Sequence, residues 1–242
     1  AGVTWIAVAP THRRQGILTR MMAELHADAD AHGEAVAMLT ASEGAIYQRF
    51  GYGVASQCRV TEIDRRRTEI RAEHRPQPGE VLLVDGKNDD VLEQIAALHD
   101  RVRRQCVGDI DRSLANFRLA RQYRGAGTRW AVHADGYASW KVTAKWNNGH
   151  PAHEMELYDL VAATPEAHVA LWHTVLSVDL VGPIRCFRAV TVDDHLPHLL
   201  TDPRAMRTVG RARAVGVRRR VLGGGAADGG GARRARGVPP RV

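Results

Sequence analysis

The feature that most constrains this chain is a junction within its first twenty residues. Val3-Thr4-Trp5-Ile6-Ala7-Val8-Ala9-Pro10 is an extended, β-rich run that passes through Thr11-His12 into Arg13-Arg14-Gln15-Gly16-Ile17-Leu18, where an apolar helical pattern starts. A strand that runs into a helix leaves the first helical amides without intrahelical acceptors. Those amides, with the helix dipole, favour an anion on the helix axis. Guanidinium groups grip phosphate oxygens through a planar fork, so Arg13 and Arg14 suit that position, and Gly16, lacking a Cβ, lets a ligand approach the main chain. The junction predicts a pyrophosphate as ligand.

The pattern around the junction predicts a β-α-β unit. A helix from Gln15 to Ala31 carries Leu18, Met21, Met22, Leu25 and Ala29 on one stripe, Gly33 ends it, and Ala35–Thr40 is a short apolar strand buried on both faces. Strand, helix, strand at this spacing implies parallel pairing through a right-handed crossover. Ser42 stands where an N-cap belongs, ahead of a short helix Glu43–Arg49 that Phe50-Gly51-Tyr52-Gly53 breaks, and Val54–Ile63 resumes as a strand. Tyr47 is thereby placed near the start of the first helix.

Arg65 to Gly79, polar and proline-bearing, reads as a linker. A second unit follows with a strand at Val81–Val84, helices at Asp89–Cys106 and Arg112–Tyr123, strands at Trp130–His133, Tyr137–Lys145 and Met155–Val161, a helix Pro165–Val178 and a strand Ile184–Val190. Asp135-Gly136 joins two of these strands as a hairpin. The equivalent junction, Leu160-Val161-Ala162-Ala163-Thr164-Pro165-Glu166-Ala167-His168, has no arginine or glycine and carries a glutamate where phosphate would sit. Like charge there opposes an anion.

Residues 209–242 contain nine arginines and one acidic residue, Asp228, so the net charge of +7 belongs to this tail and the first 208 residues are one charge negative. Only seven residue types occur in the tail, with glycine runs at 223–225 and 229–231, which predicts a disordered segment. All seven use GC-rich codons, so an out-of-frame reading of the gene is one expectation for it. Cys58, Cys106 and Cys186 are odd in number and lack CxxC pairing, which argues for a reducing compartment and against a zinc site or disulfide frame. With no membrane-length apolar run and no signal pattern, a cytoplasmic protein that does not enter the membrane is expected. His150-x-x-His153 and His195-x-x-His198 lack companion ligands and are not read as metal sites, Cys58 has no evident base, and the five tryptophans read as core or interface aromatics.

Arg13-x-x-Gly16-x-Leu18 after Ile6-Ala7-Val8 resembles the acyl-CoA motif of the GNAT acetyltransferases, Arg/Gln-x-x-Gly-x-Gly/Ala, with Leu18 where Gly or Ala is usual. Leucine there, with the text up to Gly53, is similar to the enhanced-intracellular-survival (Eis) branch, and Tyr47-x-x-x-Gly51-Tyr52 is similar to the Tyr-x-x-x-Gly-Phe that closes many GNAT active sites. The resemblance runs to about residue 208, holding through Leu196–Arg204. It implies an α+β architecture of tandem GNAT folds: 1–64 as the C-terminal part of a catalytic domain that lacks its opening strand, two helices and two strands, 65–79 as linker, 80–208 as a non-CoA-binding copy, and 209–242 as tail.

The activity it implies is acetyl transfer from acetyl-CoA to a primary amine, aminoglycoside-like or protein lysine, by direct attack without an acyl-enzyme and without a metal. Backbone groups of Ile6, Ala7 and Val8 would bind the pantetheine and the carbonyl oxygen, Arg13, Arg14, Gln15, Gly16, Ile17, Leu18 and Thr19 the pyrophosphate, and Ser42 and Glu43 the other wall. Tyr47 is the candidate general acid, since a phenol with a pKa of about 10 can protonate a departing thiolate. The family's base is its terminal carboxylate, a role not carried over to Val242. Hexamers are the assembly the resemblance implies. The competing reading is an inactive fragment whose arginine-rich tail binds nucleic acid or another polyanion non-specifically.

Overall fold

The computed structural model describes residues 1–41, 43–55, 58–106, 109–187, 189–212 and 216–219. In chain order the elements begin with β1 Gly2–Val3, α1 Ile17–Ala31, β2 Val36–Leu39, α2 Gly44–Gln48 and β3 Gly53–Val54. There follow β4 Cys58–Asp64, β5 Leu82–Val84, α3 Asp89–Arg103, α4 Leu114–Arg124, β6 Thr128–His133 and β7 Gly136–Thr143. After them come the short β8 Trp146–Asn147 and β9 His150–Pro151, then β10 His153–Ala162, α5 Pro165–Leu176, β11 Val181–Cys186, α6 Leu196–Leu199, β12 Met206–Ala212 and β13 Gly216–Arg219. Contacts divide the chain into two compact units, Ala1–Ala55 with Val215–Val242 and Ser56–Ala214.

In the first unit β1 pairs parallel with β2, Gly2 opposite Met38 and Val3 opposite Leu39, as the crossover rule requires. The pairing stops there. Residues 4–9 belong to no strand, so the expected extended run to Pro10 contributes only two residues to the sheet. Trp5 is the reason: its φ of +58° is left-handed, which breaks the pleat and turns the chain away from β2 at a cost of about 1–2 kcal/mol. Met22 of the helix stripe packs with Ala37, Leu39 and Tyr52 into a small core, joined by Val3, Ile6, Leu18, Tyr47 and Phe50. The expected single strand Val54–Ile63 is two strands in two different sheets: β3 in the order β1-β2-β13-β3, and β4 in the seven-stranded sheet of the second unit. The unit boundary therefore falls before residue 58, earlier than the expected 64.

That larger sheet has the order β12-β4-β11-β10-β7-β6-β5. Its one parallel pair is β10 with β11, on either side of α5. The β-α-α-β-β-β-α-β order read from the sequence is present, with each helix started by a side-chain cap: Asn88 for α3, a Ser113–Asn116 capping box for α4, and Thr164 followed by Pro165 for α5. Leu171, Trp172 and Val175 of α5 pack on Trp140, Met155 and Ile184 of the sheet, while Leu92, Ile95 and Phe117 of α3 and α4 close over Trp130 and Tyr137. Trp130, Trp140 and Trp172 are core residues, as expected; Trp5 and Trp146 are 83% and 65% exposed.

Residues 65–79 are integral to this unit, which corrects the linker expectation. Arg65 Nε donates to the Leu176 carbonyl, the Arg71 amide to the Leu199 carbonyl, and Ile70 is buried opposite Leu200. Polar composition concealed an arginine-anchored edge. The tail expectation changes as well: residues 209–212 complete β12 against β4, and 216–219 form β13. Both strands use backbone bonds to an existing strand, which need no apolar periodicity. Residues 220–242 lie outside the described residues.

Beneath α4 the buried Asp159 carboxylate accepts from Arg112 and Arg124, both at 2.8 Å, and from Ser139 at 3.2 Å. Burial alone would push its pKa up, but the two guanidinium groups outweigh that and hold it below the ordinary carboxylate value. The stability it contributes is present above the unfolded carboxylate pKa and is lost as pH falls through the lower folded value. Asp159→Ala leaves two mostly buried arginines without their carboxylate, and equilibrium denaturation should show a loss of about 3–5 kcal/mol at neutral pH; a loss under about 1 kcal/mol, the range of a surface pair, contradicts the account.

Candidate active site

Where β1 and β2 part, a cavity of about 340 Å³ opens, lined on one side by Val3, Thr4, Trp5 and Ile6 and on the other by Leu39, Thr40, Glu43, Ile46 and Tyr47. The parting makes the space: beyond Val3 the first segment is no longer paired with β2. Of the expected site residues, Ile6, Glu43 and Tyr47 meet at this cavity. Ala7 and Val8 continue the same diverging segment.

The chain then makes a short turn at Pro10–His12 and enters α1 through two left-handed residues, Arg14 with φ +63° and Gly16 with φ +74°. Gly16 is the N-cap, with no side-chain capping bond, and its carbonyl takes the Arg20 amide at 3.1 Å. The amides of Ile17, Leu18 and Thr19 therefore have no intrahelical acceptor, and among the described residues no other protein group takes them. Arg13, Arg14, Gln15 and Gly16 are exposed, and no carboxylate among the described residues pairs with either arginine. A side chain at Gly16 would meet no neighbouring atom, so the glycine serves its backbone angle and leaves the space in front of the turn open. Helix α1 starts at Ile17 and not at Gln15, because the left-handed Gly16 precedes the first helical residue.

Ser42 lies outside the described residues. The N-cap role expected of it belongs to Glu43, which precedes α2 in extended conformation without a side-chain capping bond. Tyr47 sits near the end of α2, half-buried, with its ring edge-on to Tyr52 at 6.0 Å between centroids. The Tyr52 hydroxyl shares a 3.0 Å hydrogen bond with His26 Nε2 of α1. Tyr52 is thus fixed from behind and in turn limits where the Tyr47 ring can go. The sequence reading missed Thr4, Trp5, Thr40 and Ile46 as cavity residues. Trp5 had a signal, a large aromatic next to the motif, but a solvent-facing ring follows only from the left-handed backbone.

The second unit repeats the plan without the opening. Pairing of β10 with β11 ends at Leu157 opposite Cys186, and α5 begins three residues after β10. There the Thr164 hydroxyl accepts from the Ala167 amide, the Asp135 backbone carbonyl takes the Ala163 amide at 2.7 Å, Glu166 occupies the first turn, and Asp194 stands 3.2 Å from His168. A capped and acidic helix start offers nothing to an anion. Cys186 is buried and loss of solvation raises its thiol pKa to about 12, so it is no nucleophile. Among the described residues no three histidine, cysteine or carboxylate side chains gather as a metal site, and no helix is long and apolar enough to cross a membrane.

Two family models, each described as an acetyltransferase (GNAT) domain, match residues 1–55 and 108–218. The chain belongs to the GNAT acetyltransferases. Its relatives include Eis proteins: it is 36% identical over 227 residues to N-acetyltransferase Eis of Mycobacterium tuberculosis, covering 87% of this chain and 52% of that one. It is also 36% identical over 229 residues to an uncharacterized N-acetyltransferase of Streptomyces avermitilis, covering 88% and 54%. The crystal structure of Eis1 from Mycobacterium abscessus superposes with a TM-score of 0.75 at 33% identity, over 90% of this chain and 55% of that one. The chain spans about half the length of the curated relatives it matches.

Tyr52→Phe keeps the ring against Tyr47 and removes the bond to His26, and urea unfolding should register a loss of about 0.5–1.5 kcal/mol. An unchanged unfolding midpoint would show that the hydroxyl does not anchor the ring.

Proposed function

We propose that the first unit binds acetyl-CoA in the gap between the diverging residues 4–8 and β2, and transfers the acetyl group to a primary amine. The observation that carries this reading is the coincidence of the strand parting with an uncapped helix start beside two unpaired arginines. The donor set fits the ligand: three outward amides and two guanidinium groups suit a diphosphate, and the backbone of Ile6–Val8, which belongs to no strand, suits the amides of a pantetheine arm. Acetyl-CoA supplies an activated thioester. Ile17, Leu18, Thr19, Arg13 and Arg14, with Gln15 and Gly16 shaping the turn, hold the diphosphate, and the backbone N–H groups of Ile6, Ala7 and Val8 orient the arm and polarise the acyl oxygen.

In this reading the acceptor enters as a cation from the side walled by Trp5 and Glu43 and reacts as the neutral amine once it has lost a proton to water. Its nitrogen forms the new bond to the acyl carbon while the carbon–sulfur bond breaks. The Tyr47 hydroxyl gives its proton to the sulfur, and the nitrogen passes its surplus proton through water to the Tyr47 phenolate, which restores the phenol. Acceptors of the aminoglycoside or protein-lysine kind suit a site with an aromatic face and a carboxylate, which favour a cation before deprotonation.

Isothermal titration with acetyl-CoA tests the binding half. Arg14→Ala should weaken affinity about 10- to 100-fold, the range of one charge-assisted contact, and unchanged affinity removes the arginine from the site. For the chemical half, Tyr47→Phe should lower kcat about 100-fold or more with little change in acetyl-CoA affinity. Turnover equal to the parent's takes Tyr47 out of the mechanism.

A further inference from the structure

We propose that β13, Gly216–Arg219, is a positioning element of the acetyl-transfer site, so that the site is assembled from residues 1–55 and 216–219 together. The chain leaves the first sheet after β3, forms the whole of the seven-stranded sheet, and supplies a strand to the first sheet again at β13. That strand lies between β2 and β3 and pairs antiparallel with both: Gly216 opposite Leu39 and Val54, Val217 opposite Met38 and Gly53, Arg218 opposite Ala37 and Arg219 opposite Val36.

Among the described residues β13 is the only strand partner of β3. Without it β2 keeps one neighbour, the two-residue β1. A pair that short is not stable alone.

The consequence falls on α2. This five-residue helix is far below the length that holds itself helical in water. Its position is set by what grips its two ends. One end follows β2, which closes the cavity with Leu39, and the other runs through Tyr52 into β3. Strand β13 is bonded to both of those strands and lies against α2 itself. It fixes the distance between the two ends of the segment that carries Glu43 and Tyr47.

This inference rests on the acetyl-transfer reading only for its ligand arm, so the decisive measurement is made without ligand. Native-state amide exchange on the full chain should show 216–219 protected to the same degree as Val36–Leu39. Val217→Pro removes a ladder N–H in mid-strand, and should lower protection at Ala37–Leu39 and Gly53–Val54 about tenfold or more while Trp140–Val142 and Ile184 stay as in the parent.

Acetyl-CoA affinity should fall by a similar factor. Exchange at 216–219 at free-peptide rates in the parent overturns the proposal, whatever the variant does to folding. Parent-like protection of Ala37–Leu39 in Val217→Pro overturns it equally. If the variant loses protection as expected but the parent binds no acetyl-CoA, the strand's role stands and the acetyl-transfer reading falls.

Discussion

Everything distinctive about the first unit depends on two parallel strands separating after two paired residues. Val3 is hydrogen-bonded in register with Leu39, and two residues later Trp5 adopts a left-handed backbone that no longer follows β2. A sheet that simply ended there would leave bare backbone polar groups, which folded proteins rarely tolerate away from water. Here the diverging segment and the end of β2 enclose a cavity with Tyr47 on its far wall. The helix that follows begins with a glycine N-cap, leaving its first amides unclaimed. Strain of about 1–2 kcal/mol at Trp5 and again at Arg14 is tolerated at positions that shape this opening.

The second unit shows the same plan put to a different use. Among the described strands it has the strand, helix, strand crossover and a single parallel pair in a mixed sheet, yet the cap and the charge at its helix start are the reverse of those at the first junction. Its helix start is capped by Thr164, its first turn carries Glu166, and β10 carries Asp159, tied to Arg112 and Arg124. Gly136 is required for packing, since a Cβ there would strike the Val161 carbonyl and the Leu171 side chain. Such a unit stores its polar residues in closed contacts, whereas the first presents them.

Much of this was legible in the sequence where local chemistry decides the outcome. The caps at Asn88, Ser113 and Thr164, the hairpin before Gly136, the stop at Gly33 and the contrast between the two junctions all follow from residues within a turn or two of each other. What stayed hidden was decided at long range. Arg65–Arg67 looks like a solvated charge run, but Arg65 reaches a carbonyl more than a hundred positions away. Val54–Ile63 reads as one strand and is divided between two sheets because its two ends find different partners, β13 for one and β11 and β12 for the other. The valine, glycine and arginine of 209–212 and 216–219 carry no periodic signal, and become strands because backbone edges were waiting for them. In the candidate site, spacing was enough to put the arginines and Gly16 at the start of α1 and Tyr47 on the helix after β2, while Trp5 and Thr40 as cavity residues needed the backbone to be seen.

The most direct measurement is amide exchange, residue by residue, on the full chain with and without saturating acetyl-CoA. The account predicts new protection at Ile6–Val8 and at Ile17–Thr19, the unpaired segment and the uncapped helix start, with no change at Thr164–His168 of the second unit. Protection confined to Thr164–His168, or none at Ile17–Thr19 when binding is saturated, would contradict the claim that the parted strands and the open helix start form the acetyl-CoA site.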